Sequence, residues 1–293
     1  MTQERFVPSL ITAATPAAAR VAAYYDANTR PFYLERWHPE DIHFGLFAEG
    51  DDPRTHFPAV KRMTDYLAAP AQIRPGEFVL DAGCGVGGAA IDIATQTGAQ
   101  ILGLTISSVQ VDLATARAQS VGVADRVRFE VADCSATLPC EDASVDVVLT
   151  IEAACHFADK RRFLQECHRV LRPGGRLVGS DWMEVDGLSD DERREMIDPV
   201  CESWRLAGLE SPASWNAMLT EAGFCVSECN DLGDEVLANI RFLARGRLDV
   251  MLEIANKSRD AETGGLWVAQ YDSLLEAWSE GVFTIGRFVA IRP

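Results

Sequence analysis

Residues 150–156 read Thr-Ile-Glu-Ala-Ala-Cys-His. They set a carboxylate, Glu152, and an imidazole, His156, directly after the apolar run Val145, Val147, Val148 and Leu149, which has the composition of a buried strand. Open α/β sheets bind their ligands at the carboxyl ends of strands, and an acid with an imidazole there suits proton transfer or the balancing of a developing positive charge. His43, in His-Phe-Gly at 43–45, is a third candidate. The plainer readings are a backbone-bonded imidazole for His156, a surface acid for Glu152 and a packing histidine for His43.

A second constellation is the glycine turn in VLDAGCGVGGAAIDIA, residues 79–94. Gly83, Gly85 and Gly88 have the spacing GxGxxG between a strand and a helix, where bare backbone can approach a ligand at a helix N-terminus. A nicotinamide dinucleotide site calls for an acid about twenty residues on, at the end of the second strand. Here that place reads Gly103-Leu104-Thr105-Ile106-Ser107, and the acid comes early instead, at Asp81.

The elements that must position these groups are legible from residue 78 onward. Strands are expected at 78–82, 100–104, 127–131, 145–150 and 176–181, with helices near 87–97, 108–120 and 160–170 between them, the pattern of a parallel sheet covered on both faces. Arg-Pro-Gly-Gly at 172–175 ends the last of these helices. Residues 1–75 are expected to form two or three helices, 211–231 a helix then a strand, and 282–291 a final strand. Between those last two strands about fifty residues are helical, with Val236, Ile240, Leu243, Leu248, Met251 and Leu252 expected on one face. An insertion of that size reads as a lid or substrate-binding cap, or as a plain packing unit.

Composition bounds the function. The chain has 293 residues, 47% of them hydrophobic, enough for one large α/β domain. A net charge of -17 argues against nucleic acid or an anionic membrane surface as partner. No apolar run reaches the roughly 18 residues of a membrane span, and no signal peptide is evident, so the expected compartment is the cytoplasm. The eight cysteines show no CxxC pairing and are expected to be reduced thiols, not disulfide or zinc partners.

Asp81 followed by GxGxG resembles motif I of the class I S-adenosylmethionine-dependent methyltransferases. Thr105-Ile106-Ser107 with Gln110, Asp133-Cys134 after the third strand, and Arg172-Pro173-Gly174-Gly175 before the fifth resemble further features of that family. VVLTIEAACH at 147–156 and YYDANTRPFYLERWHPEDIHFGLF at 24–47 are similar to the sterol and prenyl diphosphate C-methyltransferases. The resemblance implies an α/β, Rossmann-like fold with a mostly parallel seven-stranded sheet, helices on both faces, an N-terminal helical cap segment over 1–75, and a core over 76–293 carrying a helical lid at 233–280. It implies S-adenosylmethionine as cofactor, held by Asp81, Gly83, Cys84, Gly85, Thr105, Ser107, Gln110, Asp133, Cys134 and Ile151. No resident metal is implied, and magnesium enters only if the acceptor is a diphosphate.

The branch resembled implies methyl transfer to an alkene carbon of an isoprenoid or prenylated small molecule, through a carbocation that is then deprotonated, with cyclisation if deprotonation is delayed. A cation in the pocket asks for aromatic faces, worth about 0.5–2 kcal/mol each, and a carboxylate. Tyr24, Tyr25, Phe32, Tyr33, Trp37, Phe44 and Trp182 are the candidates for the wall, and Glu152, His156 and His43 for the acid–base work. Arg30, Arg36, Arg241, Arg245 and Arg247 are candidates to hold a diphosphate, or else solvent-facing charges. An O- or N-methyltransferase of a sugar, amine or polyketide, and a cofactor-binding protein that has lost transfer, are the alternatives; the partner is a small molecule, and a homo-oligomer stays open.

Overall fold

The computed structural model describes residues 15–48, 50–52, 57–236, 238–256 and 261–293. Seven strands form one sheet: β1 Phe78–Ala82, β2 Gln100–Thr105, β3 Val127–Val131, β4 Val145–Ile151, β5 Leu171–Glu184, β6 Cys225–Asp231 and β7 Phe283–Ile291. Their order is β3-β2-β1-β4-β5-β7-β6. All neighbours are parallel except β7, which runs antiparallel to both β5 and β6. The order reverses between β1 and β4, and the crevice beyond their carboxyl ends is where an α/β sheet of this kind takes its ligand. The fold is thus the expected α/β, Rossmann-like architecture with a mostly parallel seven-stranded sheet.

The expected strands all form, and two differ usefully in extent. β4 runs one residue further, because Ile151 pairs with Ser180 and carries the strand to the edge of Glu152. β5 begins at Leu171, five residues before the expected start, since Leu171 pairs with Val145 ahead of a register shift. The turn in between uses Gly174 at φ 75°, a left-handed conformation that glycine adopts without strain.

Two apolar layers sandwich the sheet. One packs Phe163, Leu164, Trp215 and Leu219 against it, the other Ile91, Ala94, Ala114 and Ala118. A third core lies beyond the strand ends and joins the N-terminal helices to the insertion between β6 and β7. There Phe32, Tyr33, Trp37 and Phe44 pack with Trp204, Trp267, Tyr271 and Leu274. Burial of each large ring is worth roughly 2–3 kcal/mol.

The insertion comprises helices Gly233–Val236, Asn239–Ala255 and Ala261–Ser279. Its expected apolar face is divided: Val236 and Leu243 are fully buried, whereas Leu248, Met251 and Leu252 are 46%, 42% and 50% exposed. The buried stripe instead runs through Asn239, Leu243 and Val250, the positions that a 3.6-residue period brings to one side. Among the described residues no helix is long and apolar enough to cross a membrane.

Candidate active site

The turn after β1 is built around glycine. Gly83 has φ 95° and Gly85 φ 53°. A Cβ at Gly83 would lie 2.2 Å from the Ala153 Cβ, and one at Gly85 would press on the Ile42 side chain at 3.3 Å. The backbone therefore lies bare between β1 and the segment 41–43, and the helix Gly88–Thr97 starts there.

Above this turn opens a cleft. Of the cofactor residues expected from sequence, Asp81, Gly83, Cys84, Gly85, Thr105, Gln110, Asp133, Cys134 and Ile151 all line it. Ser107 does not. It caps the helix Ser108–Val121 by accepting from the Gln110 N–H, and its hydroxyl donates to Asp26 at 2.5 Å. The Thr105 hydroxyl donates to Gln110 Oε1 at 2.6 Å, and Asp133 Oδ1 accepts from the Ser135 amide at 2.9 Å.

The chemistry of the cleft fits a cationic ligand. Asp81 and Asp41 both face it, and none of its lining residues is Lys or Arg. Burial pushes each carboxyl up to about 7; for Asp81 the neighbouring Asp41 adds to the rise, while for Asp41 the Arg117 guanidinium opposes it. Asp81 Oδ2 is buried without a hydrogen-bond partner among the described residues. A sulfonium with an α-ammonium would neutralise this negative, under-satisfied pair and lower both acids.

Glu152 stands where β4 ends, at φ 48°, a conformation that costs a non-glycine residue about 1 kcal/mol or more. Two donors hold it there: the Phe44 N–H to Oε1 at 2.9 Å and the Trp182 indole N–H to Oε2 at 2.7 Å. Burial raises its carboxyl to about 7 against the pull of His43. His156 follows on a short 3₁₀ turn, Ala154–His156. Its Nδ1 lies 3.2 Å from the Arg205 carbonyl, which can only accept, so Nδ1 carries the hydrogen and Nε2 is the acceptor, taking the Tyr25 hydroxyl proton at 2.7 Å. Burial lowers this imidazole to about 4, so it is neutral. His43 donates from Nδ1 to the Phe44 carbonyl at 2.8 Å and accepts at Nε2 from Thr64 at 3.2 Å; burial keeps it neutral as well.

A smaller chamber opens from Glu152 and His156 toward the third core. Tyr25, Tyr33, Trp37 and Trp182 line it, as four of the expected aromatics. Tyr24, Phe32 and Phe44 stand behind the wall. Tyr24 hydrogen-bonds Tyr33 and Gln270, Phe32 packs on Trp204 and Trp267, and Phe44 stacks on Trp182. The five candidate arginines line neither cavity. Arg36 pairs with Glu253 and ties the N-terminal segment to the insertion, while Arg245–Asp249 and Arg247–Asp272 are pairs within the insertion.

Several lining residues escaped the sequence reading, Asp41, Ile42, Trp204 and Leu206 among them. Asp41 and Ile42 come from the loop 38–47, and Asp41 stands two residues before the candidate His43 in HisProGluAspIleHis. Trp204 and Leu206 complete the chamber from the end of the helix Asp198–Trp204, and their spacing alone is indistinguishable from ordinary core.

Residues 80–179 match the family model described as Methyltransferase domain. The chain is 31% identical to Methyltransferase GfsG of Streptomyces halstedii, over 86% of this chain and 89% of that protein. It is 33% identical to the O-methyltransferase resE of Aspergillus sclerotiorum, over 85% and 92%. Among solved structures, the [4+2]-cyclase SpnF aligns with a TM-score of 0.80 at 25% identity, over 97% of this chain and 99% of that one. With a glycine turn and a dicarboxylate cleft suited to a sulfonium cofactor, and with relatives that match it over most of their length, the chain belongs to the class I S-adenosylmethionine-dependent methyltransferases.

Proposed function

We propose that this enzyme methylates a hydroxyl oxygen of an uncharged, largely apolar natural product. The observation that carries this reading is the neutral His156, whose Nε2 accepts from Tyr25 at the mouth of a chamber walled by Tyr33, Trp37, Trp182, Trp204 and Leu206. The residues lining that chamber include neither Lys nor Arg, so a diphosphate would find no cation to neutralise it there. The relatives reported above include an O-methyltransferase matched over 92% of its length.

When bound, S-adenosylmethionine supplies an electrophilic methyl on a sulfonium. Asp81, Gly83 and Gly85 would seat it from β1, and Asp41 and Ile42 would cover it. The apolar walls hold the acceptor and exclude water, which turns a bimolecular encounter into a positioned one. Tyr25, which borders both cavities, can take the acceptor's proton on its oxygen as its own proton passes to His156 Nε2. An imidazole of pKa about 4 is a weak base for an alcohol at rest, but the oxygen becomes strongly acidic as its bond to the methyl forms. The imidazolium that results donates from Nδ1 to the Arg205 carbonyl.

A second reading has its own support: five aromatic faces beside the Glu152 carboxylate suit a carbocation, as methylation of an alkene carbon would require. Incubation with ¹³C-methyl cofactor and a panel of hydroxylated polyketides, sterols and prenyl diphosphates, read by mass spectrometry and NMR, separates the two. Label on oxygen of a neutral acceptor, reduced about 10²-fold or more by His156→Asn, is the expected outcome. Label on an alkene carbon supports the second reading, and the absence of transfer to every acceptor overturns both.

A further inference from the structure

The cofactor cleft and the acceptor chamber share four lining residues, Tyr25, Ile42, Glu152 and His156. Each is only partly buried and keeps accessible surface. Three of them are polar and held by hydrogen bonds: Tyr25 to His156 at 2.7 Å, His156 to the Arg205 carbonyl at 3.2 Å, and Glu152 to the Phe44 N–H and the Trp182 indole at 2.9 and 2.7 Å. Ile42 is the aliphatic member of the set.

The Ile42 side chain is held from both sides. Toward the cofactor it lies on the glycine turn, where a Cβ added at Gly85 would meet its Cδ1 and its Cγ1, each at 3.3 Å. Away from the turn it packs against the third core. The backbone to either side is tied as well: the Asp41 N–H donates to His38 Nδ1 at 3.0 Å, the Glu40 carbonyl accepts from Arg117 at 2.9 Å, and the Phe44 N–H is the donor to Glu152. None of these bonds uses the Ile42 side chain, so trimming it leaves the anchors of the loop in place. A β-branched side chain also has few rotamers to retreat into, which makes it a stiff boundary.

We propose that Ile42 is a specificity-determining residue for the donor: it limits the size of the alkyl group that a sulfonium can carry at the junction of the two cavities, admitting methyl and disfavouring longer chains. This rests on the reading that the group is passed at the mouth shared by Tyr25, Glu152 and His156, and it holds for an oxygen or a carbon acceptor alike. Ethyl exceeds methyl by one carbon, and one carbon too many against an apolar wall is worth roughly 10–200-fold in discrimination. Ile42→Ala removes more carbons than ethyl adds, so the variant has room for the longer group. The bond balance is that of methyl transfer: the acceptor atom bonds the alkyl carbon as the sulfur–carbon bond breaks, that electron pair stays on sulfur, and the proton of an oxygen acceptor passes through Tyr25 to His156.

Titration calorimetry of the full-length protein with S-adenosyl-L-methionine and S-adenosyl-L-ethionine tests this and needs no acceptor. Wild type is expected to bind the ethyl donor about tenfold or more weakly than the methyl donor, Ile42→Val to narrow that ratio, and Ile42→Ala to bring it within about threefold. S-adenosylhomocysteine, which carries no such alkyl group, corrects each variant for any general loss of affinity. Trp204→Ala, which alters the chamber alone, should leave the ratio as in wild type. With an acceptor from the panel above, Ile42→Ala should raise ethyl over methyl transfer, as a ratio of kcat/KM, by about tenfold or more. A wild type that binds both donors alike, or a ratio that neither Ile42→Val nor Ile42→Ala moves, would overturn the proposal. A narrowed binding ratio without transfer to any acceptor would count against the proposed function and not against the part given to Ile42.

Discussion

The two cavities of this enzyme are assembled differently. The cofactor cleft takes most of its lining from the ends of β1, β2, β3 and β4 and the turns that follow them, so its residues come in short runs: 81 with 83–86, 105–106, 132–135 and 151–153. The proposed acceptor chamber draws side chains from distant segments, with Tyr25 meeting His156 across 131 positions and Tyr33 and Trp37 sharing the wall with Trp182, Trp204 and Leu206. The first is dictated by backbone geometry at strand ends, the second by packing between helices. A backbone-built cleft tolerates little change at its glycines, while a wall of side chains can be remodelled one residue at a time and can thus change acceptor without changing cofactor.

The largest effect should come from the glycine turn. Gly83→Val combines a φ of 95° with a Cβ 2.2 Å from Ala153, and is expected to remove measurable S-adenosylhomocysteine binding by calorimetry; an affinity within a few fold of wild type would break the claim that bare backbone makes this cleft. Next, Glu152→Gln should lower turnover by about 10²-fold while cofactor affinity stays nearly intact. The amide can accept from only one of the Phe44 and Trp182 donors and removes the negative charge, so an equal loss of cofactor binding would show that Glu152, which lines both cavities, serves the cofactor as much as the acceptor.

Smaller changes test the independence of the halves. Trp204→Ala should raise the KM for the acceptor by about tenfold or more, through roughly 2 kcal/mol of lost contact, with the cofactor constant unmoved. Cofactor affinity should also rise modestly between about pH 6 and 8. Asp41 and Asp81 sit at about 7 when the cleft holds no cation, and a cation binds their ionised forms, so protons must leave on binding and higher pH favours it. For the protein without cofactor the same raised values act in the other sense. Its folded state holds those protons more tightly than the unfolded chain, and that contribution to stability is lost as pH rises through 7. Affinity that is flat with pH in calorimetry would remove the two carboxyls from the cofactor's immediate surroundings.

The same contrast explains what the sequence disclosed. Asp81, Gly83 and Gly85 could be placed because a strand, a tight turn and a helix leave a local signature, and all three line the cleft. Ser107 shared that signature yet turned inward, since a serine ahead of a helix is also the residue that caps it. The aromatics of residues 24–44 could be gathered by type but not sorted: Tyr25 and Tyr33 reach the chamber while Tyr24 and Phe44, on neighbouring turns, support it from behind. Leu248, Met251 and Leu252 were assigned to a buried face that their helical phase does not give them. Trp204 and Gln270 carry no local mark, because their positions depend on how the insertion docks on the N-terminal helices.

A crystal soaked with S-adenosylhomocysteine would test the division of labour most directly. The amino-acid end is expected over Gly83–Gly85 beside Asp41 and Asp81, with the sulfur facing the mouth shared by Tyr25, Glu152 and His156. A ligand whose sulfur points away from that mouth, or whose adenine fills the aromatic chamber, would contradict it.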